Sequence, residues 1–195
     1  FKPLSYKEAL IRAMSREEQD NIHTRWSDAY PPAHALSLKL HELERKPAYI
    51  KSYSLSTKKE ATALFTSICK IGGREGWFYS NWLWRLRGSI DRALLGVGLI
   101  RGRKSYSHLM VGDVVDFWRI EDIEKDRGVL LRAEMKLPGK AWLEFKIEEK
   151  GKKRNLSVIA YYYTRSVFGV IYWYLCLPFH NLVFYNLIKE IEKRS

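Results

Sequence analysis

Apolar side chains recur at every second position through much of the second half of the chain. Val129, Leu131 and Met135 share one side of a segment whose other side is charged, and the stretch from Ala141 to Ile147 repeats the arrangement. A period of two with one apolar side is typical of antiparallel strands that have one face in the core. The pattern predicts strands near residues 113–123, 128–137, 140–149 and 154–164, together with an earlier strand over 49–55.

The turn between the second and third of these strands contains Pro138 and Gly139. For the two apolar sides to share a face, an odd number of residues must separate the paired ends. This condition predicts a loop of about three or five residues, or a bulge, with Gly139 at positive φ. One such register places Arg132 opposite Glu144, a favourable pair across the strands.

Two predicted helices begin at capping boxes, in which a hydroxyl and a carboxylate three residues apart each accept a hydrogen bond from the other's backbone N–H. The boxes are Ser5 with Glu8 and Thr57 with Glu60. Residues 20–46 are instead typical of an extended connector, with a short helix over 34–44 as an alternative for part of it. In all, the sequence predicts helices over 6–19, over 57–70, from the tryptophan-rich segment to 95, and over 166–193.

The last predicted helix carries an unbroken apolar run from Val167 to Leu177, followed by Pro178. The apolar stretch is about long enough to span a bilayer. It also contains glycine, proline, histidine and asparagine, and no second candidate span accompanies it. We therefore expect the helix to lie across the sheet, kinked at Pro178.

The order of these elements is strand, two helices, antiparallel strands and a long C-terminal helix. It predicts an α+β helix-grip fold, in which a curved antiparallel sheet wraps around the C-terminal helix and an N-terminal helical and extended segment comes first. We place residues 1–45 in that segment, as the end of a preceding domain, and residues 46–195 in the helix-grip domain. A cavity between sheet and helix is the default ligand site in such a fold.

The composition is globular and strongly basic, with 34 Lys and Arg against 22 Asp and Glu and a net charge of +12. This balance favours acidic partners such as nucleic acid, anionic lipid or phosphorylated ligands. The basic residues nevertheless form separate groups along the chain rather than one tract. These groups are Arg85, Arg87 and Arg92; Arg101, Arg103 and Lys104; and Lys150, Lys152, Lys153 and Arg154.

Only two cysteines are present, Cys69 and Cys176, and both stand in apolar helical contexts. We interpret them as reduced core thiols of a cytoplasmic protein. The five histidines show no metal-ligand spacing with each other or with the cysteines, so no metal site is predicted.

The segment from Gly73 to Gly88 contains Trp77, Trp82 and Trp84, followed at once by Arg85 and Arg87. The tryptophans either roof the core or form an aromatic lid over a cavity. In the second case the arginines would bind an anionic head group, because the planar guanidinium pairs with carboxylate or phosphate at two points. Stacking on nucleic acid is a third interpretation, and it requires exposed rings along a basic groove.

Asp116, Glu134 and His180 are the candidates for a general acid or base. Strand alternation favours a solvated face for Glu134, and His180 is typical of a hydrogen-bonded core or pocket histidine. Catalysis would need at least two titratable groups that converge on a pocket with perturbed pKa values. No convincing catalytic constellation appears in the sequence, so whether the protein is an enzyme stays open.

Four long motifs resemble an uncharacterised bacterial domain family that commonly stands at the C-terminus of NmrA-like, atypical short-chain-dehydrogenase NAD(P)-binding proteins. The resemblance spans about residues 46–190 and implies the SRPBCC (START/Bet v 1-like) superfamily with its helix-grip fold. It also implies that NAD(P) would bind a missing N-terminal domain, with no cofactor in this chain, and it carries over no catalytic residue. The motifs are Gly73–Gly88, Val111–Trp118, Arg132–Phe145 and Tyr172–His180.

These observations favour a domain that binds a small apolar or amphipathic molecule, as the C-terminal part of a reductase-like protein. One alternative is a cyclase-, isomerase- or hydrolase-type enzyme with a pocket acid–base. Another is a basic interaction module for nucleic acid or an anionic membrane, although the sequence favours a small ligand over both of these partners. The predicted ligand-binding residues are Trp77, Trp82, Trp84, Arg85, Arg87, Asp116, Trp118, Glu134, Trp142, Tyr172 and His180.

Overall fold

The computed structural model shows the predicted α+β helix-grip fold. The elements in chain order are α1 (Tyr6–Glu18), a short 3-10 turn (Leu40–Glu42), β1 (Tyr49–Thr57), α2 (Ala61–Ile68), α3 (Asn81–Ala93), β2 (Val114–Val115), β3 (Trp118–Glu124), β4 (Gly128–Ala133), β5 (Lys140–Lys150), β6 (Lys153–Tyr163) and α4 (Val167–Arg194). The structure describes residues 4–18, 39–43, 47–73, 75–99, 101–103, 109–151 and 153–195, with the side chains of 13–18 left aside. Most of the predicted connector, 20–46, lies outside these ranges.

The six strands form one antiparallel sheet in the order β1-β6-β5-β4-β3-β2. The sequence predicts one strand over 113–123, but the chain makes two strands there, β2 and β3, joined by Asp116 and Phe117. Asp116 has a φ of 55°, a left-handed conformation that aspartate tolerates better than most residues. The tight turn reverses the chain and brings β2 to the edge of the sheet.

One face of the sheet is apolar and carries α4. Leu143, Phe145, Leu156 and Val158 on this inner face are almost fully buried, as the alternation predicts. In the second half of α4, Leu187, Ile188 and Ile191 are completely buried. Leu64 and Ile68 of α2 pack into the same end of the core. This end of the molecule is a solid core.

Helix α4 continues without interruption through Pro178. Proline at this position has no N–H to donate to the carbonyl of Tyr174, one turn earlier, yet packing on the sheet keeps the segment helical. Among the described helices, α4 alone is long and apolar enough to cross a membrane, and only 22% of its most apolar stretch is buried. It packs across the sheet, as the sequence predicts, but leaves much of its apolar surface uncovered.

The capping box at Ser5 is present, since Glu8 N–H donates to the Ser5 hydroxyl and Ser5 N–H donates to the Glu8 carboxylate. The predicted box at Thr57 is wrong, because Glu60 is the N-cap residue of α2 and makes no side-chain cap bond. Thr57 instead ends β1, where its hydroxyl donates to Glu192 of α4 at 2.9 Å. Thr57 therefore makes a long-range hydrogen bond to α4 instead of the local capping bond that the sequence motif predicts.

The apolar sides of β4 and β5 share one face, because an odd number of residues separates their paired ends as predicted, but the predicted residue pair and the predicted glycine conformation are wrong. Arg132 lies opposite Trp142, and Leu130 is the residue opposite Glu144. Gly139 does not have a positive φ. Glycine is needed there for a different reason, because a Cβ at this position would stand 2.5 Å from the carbonyl oxygen of Tyr163.

Truncating a leucine side chain should lower stability far more in the second half of α4 than in the first. Leu187→Ala removes a fully buried side chain, and we expect it to lower the free energy of unfolding by about 2–5 kcal/mol. Leu175→Ala, on the same helix but 68% exposed, should change it by less than about 0.5 kcal/mol. Urea denaturation followed by circular dichroism measures both, and equal losses would contradict the described burial of α4.

Candidate functional site

A cavity of about 310 Å³ lies between α3, the first half of α4 and the inner face of the sheet. Its volume falls at the lower end of the range typical of small-molecule sites. Leu86, Ile90 and Phe179 form its rim, since each borders the cavity and is about half exposed. The other bordering residues are Leu83, Trp84, Arg87, Trp118, Met135, Leu137, Ala141, Trp142, Leu143, Ala160, Tyr161, Tyr162, Tyr172, Trp173, Cys176, His180, Val183 and Phe184.

The position of the cavity follows from the size of the side chains along the sheet and α4. At the solid end, Phe145 and Leu156 of the sheet meet the fully buried Leu187. At the open end, the inner face offers the small side chains Ala141 and Ala160. Because protein interiors are close-packed wherever side chains can reach one another, small residues at facing positions leave a space.

The aromatic wall of the cavity is held in place from behind. Trp84 stacks on Trp77 with ring centroids 4.3 Å apart. The Trp77 indole N–H donates to the carboxylate of Asp116 at 2.8 Å, and the Trp77 backbone N–H donates to Asn81 at 2.8 Å. Trp77 and Asp116 therefore fix Trp84 without bordering the cavity themselves.

Helix α3 is anchored over the cavity by Asp91, which is fully buried. Its carboxylate accepts hydrogen bonds from the backbone N–H groups of Gly98 and Lys136. Arg87, one turn earlier on α3, donates to the carbonyl of Lys136 at 2.8 Å and lies 3.8 Å from Asp91. These contacts join α3 to the loop that follows it and to the β4–β5 connection.

Several residues that border the cavity carry buried polar atoms with no hydrogen-bond partner within the part of the chain that the structure describes. These atoms are the indole nitrogens of Trp84 and Trp118, Nε and Nη1 of Arg87, Nδ1 of His180 and the hydroxyl of Tyr162. Buried polar groups without partners are uncommon because each one costs free energy. The residues that carry these atoms all border the cavity, so the atoms are candidate partners for a polar group of a ligand that enters it.

The titratable groups along α4 are held in their neutral forms by burial. Burial lowers the pKa of His180 to about 4, and it raises the pKa of Tyr172 to about 12. It also raises the pKa of the Cys176 thiol. A cavity with neutral walls of this kind favours apolar contact and leaves Arg87 as its charged group.

Not all of the predicted ligand-binding residues border the cavity. Trp84, Arg87, Trp118, Tyr172 and His180 do so. The side chains of Trp82 and Arg85 point to solvent on α3, because every third or fourth residue of this helix faces inward and these two stand between such positions.

Trp142 borders the cavity because β5 runs along it, but the indole ring points away from the cavity. It alternates with Ala141 and Leu143, so its ring lies on the opposite face of the sheet, where the indole N–H donates to Glu121 at 2.9 Å. A backbone N–H, that of Leu40, donates to the other oxygen of the same carboxylate. The role of Trp142 is therefore to cover the outer face.

Glu134 is buried in an ion cluster away from the cavity. Its carboxylate lies 2.6 Å from Arg101, 2.6 Å from Arg119 and 3.6 Å from Arg132. Burial acts to raise the pKa of Glu134, but hydrogen bonds and charge from Arg119 and Arg101 outweigh it and lower the pKa. Glu134 is thus an ionised structural anion and not the solvated residue that strand alternation predicts.

The cavity also includes residues that were not predicted individually as ligand contacts. On α4 they recur at the spacing of one helical face, and the same i, i+3, i+4 rule that predicts a core would have selected them. What the sequence could not indicate is that this face borders space rather than packed atoms. These residues are Trp173, Cys176, Phe179, Val183 and Phe184 of α4, with Tyr162 of β6.

A larger depression of about 660 Å³ lies at the β3–β4 turn and the C-terminal half of β5, and most of its lining residues are charged. Among the described residues, no group of three His, Cys, Asp or Glu is placed to hold a metal ion. The depression has a mixed polar and apolar lining and no such metal site, and we do not take it as the functional site.

The three basic groups of the sequence do not merge on one face among the residues that the structure describes. Arg101 is largely buried and Arg103 almost completely so. Lys150, Lys153 and Arg154 lie at the β5–β6 turn, at the end of the sheet away from α3. The geometry that a nucleic-acid module would require is thus absent from the described part of the chain.

A family model described as "Protein of unknown function (DUF2867)" matches residues 44–187. The comparison with curated proteins finds no match.

Several solved structures are similar to this chain at low sequence identity and low TM-score. DynU16, a protein in the dynemicin biosynthetic locus, is 11% identical with a TM-score of 0.42, over 75% of this chain and 47% of its own. Ara h 8.0201 is 13% identical with a TM-score of 0.39, over 74% and 95%. CalU16 from Micromonospora echinospora is 10% identical with a TM-score of 0.37, over 74% and 82%. This chain thus spans about half the length of DynU16, and the fold assignment rests on the strand order and helix positions above.

The buried neutral His180 makes stability depend on pH. Its pKa is about 4 in the folded protein, below the ordinary 6.5, so between these values the unfolded chain binds more protons and stability falls as the pH falls. The full loss from this group is roughly 3 kcal/mol. Urea denaturation at pH 7 and pH 4 should show a smaller drop for His180→Phe than for the unchanged protein.

The control is His41→Phe, because His41 is exposed in the short 3-10 turn. This variant should keep the full drop between pH 7 and pH 4. A His180→Phe variant with the same pH dependence as the unchanged protein would show that His180 is not buried in its neutral form.

Proposed function

The chain belongs to the DUF2867 family of proteins of unknown function, and from that premise we propose that it binds an amphipathic small molecule. The apolar body of the ligand would occupy the cavity under α3 and α4. A carboxylate or another oxygen-rich head group would accept hydrogen bonds from Arg87 and the two indoles. This proposal is the function that the geometry supports best.

The single observation that supports it is the excess of unpaired donors on the cavity wall. Trp84 and Trp118 can only donate hydrogen bonds, and so can the guanidinium of Arg87. No carboxylate side chain borders the cavity within the described part of the chain to accept them. A ligand oxygen would satisfy these donors and offset the free-energy cost of burying them.

Arg87 is the group that would select for negative charge. Its Nη2 donates to the Lys136 carbonyl and its Nη1 lies 3.8 Å from the Asp91 carboxylate, which fixes the orientation of the guanidinium. Nε has no hydrogen-bond partner and can donate one hydrogen bond to an oxygen of the ligand. Because the donor is charged, it favours a carboxylate oxygen over a neutral one.

The rest of the wall would bind the apolar body. Met135, Leu143 and Val183 contribute aliphatic surface, and Trp173 and Phe184 contribute rings. His180 lies edge-on to Trp173, with ring centroids 5.2 Å apart, and its neutral imidazole can donate or accept one hydrogen bond. The wall therefore combines apolar contact with a few polar groups, the usual make-up of a small-molecule site.

Binding is better supported than catalysis. An efficient general acid or base has a pKa near the working pH, whereas burial moves the pKa of His180 down to about 4 and that of Tyr172 up to about 12. Asp116 and Glu134, the two candidate acids, are committed to Trp77 and to arginines outside the cavity. The cyclase- or hydrolase-type alternative therefore has no matched pair of groups in the cavity.

The resemblance to domains that follow NAD(P)-binding proteins, and a cytoplasmic location, stay predictions. Ligand binding in the cavity does not depend on either of them. If an NAD(P)-binding domain precedes this chain in the cell, we propose that the helix-grip domain holds the apolar partner molecule rather than the nucleotide.

Filling the cavity should abolish binding. The probe is anilinonaphthalene sulfonate, which combines apolar rings with an anionic group and fluoresces in apolar sites. Ala160→Leu adds a branched side chain where the cavity is bounded by a small one, and we expect it to weaken probe binding at least about tenfold. Ala93→Leu, on the exposed side of α3, is the matched control and should bind as the unchanged protein does.

Equal probe binding by Ala160→Leu and Ala93→Leu would place the bound probe outside the cavity and overturn the proposal. Thermal unfolding of both variants distinguishes a loss of binding from a loss of fold, since a substitution that fills a cavity commonly keeps or raises stability.

The charge preference is tested with Arg87→Gln, using Arg85→Gln as its control because Arg85 is exposed two residues away on the same helix. A medium-chain carboxylic acid and the matching alcohol each compete with the probe. Hydrogen bonds to charged groups are worth about 1.5–3 kcal/mol, so Arg87→Gln should weaken the acid about tenfold to a hundredfold and leave the alcohol nearly unchanged. Equal weakening of acid and alcohol would show that Arg87 only supports the wall.

A further inference from the structure

Two stripes of exposed apolar side chains run along the helices that border the cavity. On α3 and its C-cap they recur at every fourth position, and on α4 at every third or fourth, so each stripe forms one helical face. We call these residues the rim face. They are Trp82, Leu86, Ile90 and Leu94 of the first stripe, and Phe168, Ile171, Leu175, Phe179 and Leu182 of the second.

The rim face is continuous with the cavity. Leu86, Ile90 and Phe179 belong to both, since each borders the cavity and is exposed by about half. Single exposed apolar residues are ordinary, but contiguous apolar surface on a folded domain marks a place where something binds. A partner that binds the rim face would therefore also cover the opening of the cavity.

The charges around the rim face are positive. Arg85 and Arg92 are exposed on α3, Lys136 lies on the β4–β5 connection between two residues that border the cavity, and Lys189 lies on α4. From Asn81 to Ala93 and from Val167 to Lys189 the only acidic residue is Asp91, which is fully buried. An apolar surface edged with cations, with no exposed carboxylate in these two stretches, complements an anionic lipid surface.

We propose that the rim face docks on the surface of an anionic lipid bilayer, with α3 and the first half of α4 lying in the plane of the interface. Trp82 and Tyr174, both exposed, would sit at the headgroup level, where aromatic side chains are favoured. The arginines and lysines would meet the lipid phosphates. The cavity would then open toward the membrane.

Contact with the bilayer surface is a different state from spanning it. The opposite face of α4 packs on the sheet through Trp173, Val183 and Phe184, so the helix cannot leave the domain without exposing the core. Sequence reasoning does not favour a membrane partner, because it predicts that the apolar run of α4 docks on the sheet. In the structure one face of α4 does so, and the stripe from Phe168 to Leu182 remains exposed.

A second copy of the chain fits this surface less well. A two-fold dimer would place the same patch against itself, which brings Arg85 and Arg92 of each copy toward the cations of the other. Like charges across an interface oppose association. A bilayer with anionic headgroups removes this repulsion and supplies the missing counter-charge.

Sedimentation with vesicles tests the proposal on the full chain. The protein should sediment with vesicles of phosphatidylcholine and phosphatidylglycerol, and at least about tenfold less with phosphatidylcholine alone, with the difference shrinking as salt is added. Leu86→Glu combined with Leu175→Glu places two carboxylates in the rim face and should reduce vesicle binding at least about tenfold.

The matched control is Ile50→Glu, an exposed apolar residue on β1. Ile50 belongs to neither stripe of the rim face. It lies on the outer face of the sheet, because its neighbour Tyr49 points to the inner face, where it contacts Trp173 of α4 with ring centroids 5.7 Å apart. This variant should bind vesicles almost as the unchanged protein does. Retained circular dichroism and thermal unfolding of all variants show that the fold is intact.

Three outcomes would overturn the proposal. The first is no sedimentation with anionic vesicles, and the second is equal loss with the rim-face and Ile50 variants. The third is a concentration-dependent dimer in analytical ultracentrifugation that Leu86→Glu with Leu175→Glu dissociates, which would make the rim face an interface between two copies. None of them bears on the cavity, whose occupancy is measured separately with the fluorescent probe.

Discussion

The docking of α4 onto the inner face of the sheet is the contact on which the rest of the structure depends. Its second half buries Leu187, Ile188 and Ile191 completely, and this half supplies the core that the fold needs. Once that half is anchored, the first half is held in place above Ala141 and Ala160, whose side chains are too short to reach it. One helix thus creates the solid end and the hollow end of the domain.

Helix α3 completes the hollow end, and polar anchors hold it there together with the packing of Trp84. Buried Asp91 joins α3 to the backbone of Lys136, and Trp77 holds Trp84 through a stack that Asp116 fixes. Because these contacts lie at the edges of the cavity, α3 can stay in place without filling the space beneath it. Arg87 of α3 therefore keeps donor atoms without a hydrogen-bond partner beside the cavity.

The sequence predicted the fold well and the site only in part. Period-two alternation and helical periodicity found the long strands and the four helices, because one apolar face per element is a local property of the chain. Trp84, Arg87 and His180, singled out because large aromatic, cationic and imidazole groups are rare in apolar segments, border the cavity, and their contact with a ligand stays a prediction. Strand alternation predicts the correct outer face for Glu134 and Trp142, but it does not specify what covers that face.

What the sequence determined by itself is the set of elements and which side of each is apolar, since both follow from the spacing of residues along one segment. Only the tertiary structure decided which apolar sides meet packed atoms, which meet a cavity and which meet solvent. Those outcomes depend on the sizes of residues far apart in the chain, such as Ala160 and Cys176 across the gap. The left-handed turn at Asp116 is likewise decided by its distant bonds to Trp77 and Gly102.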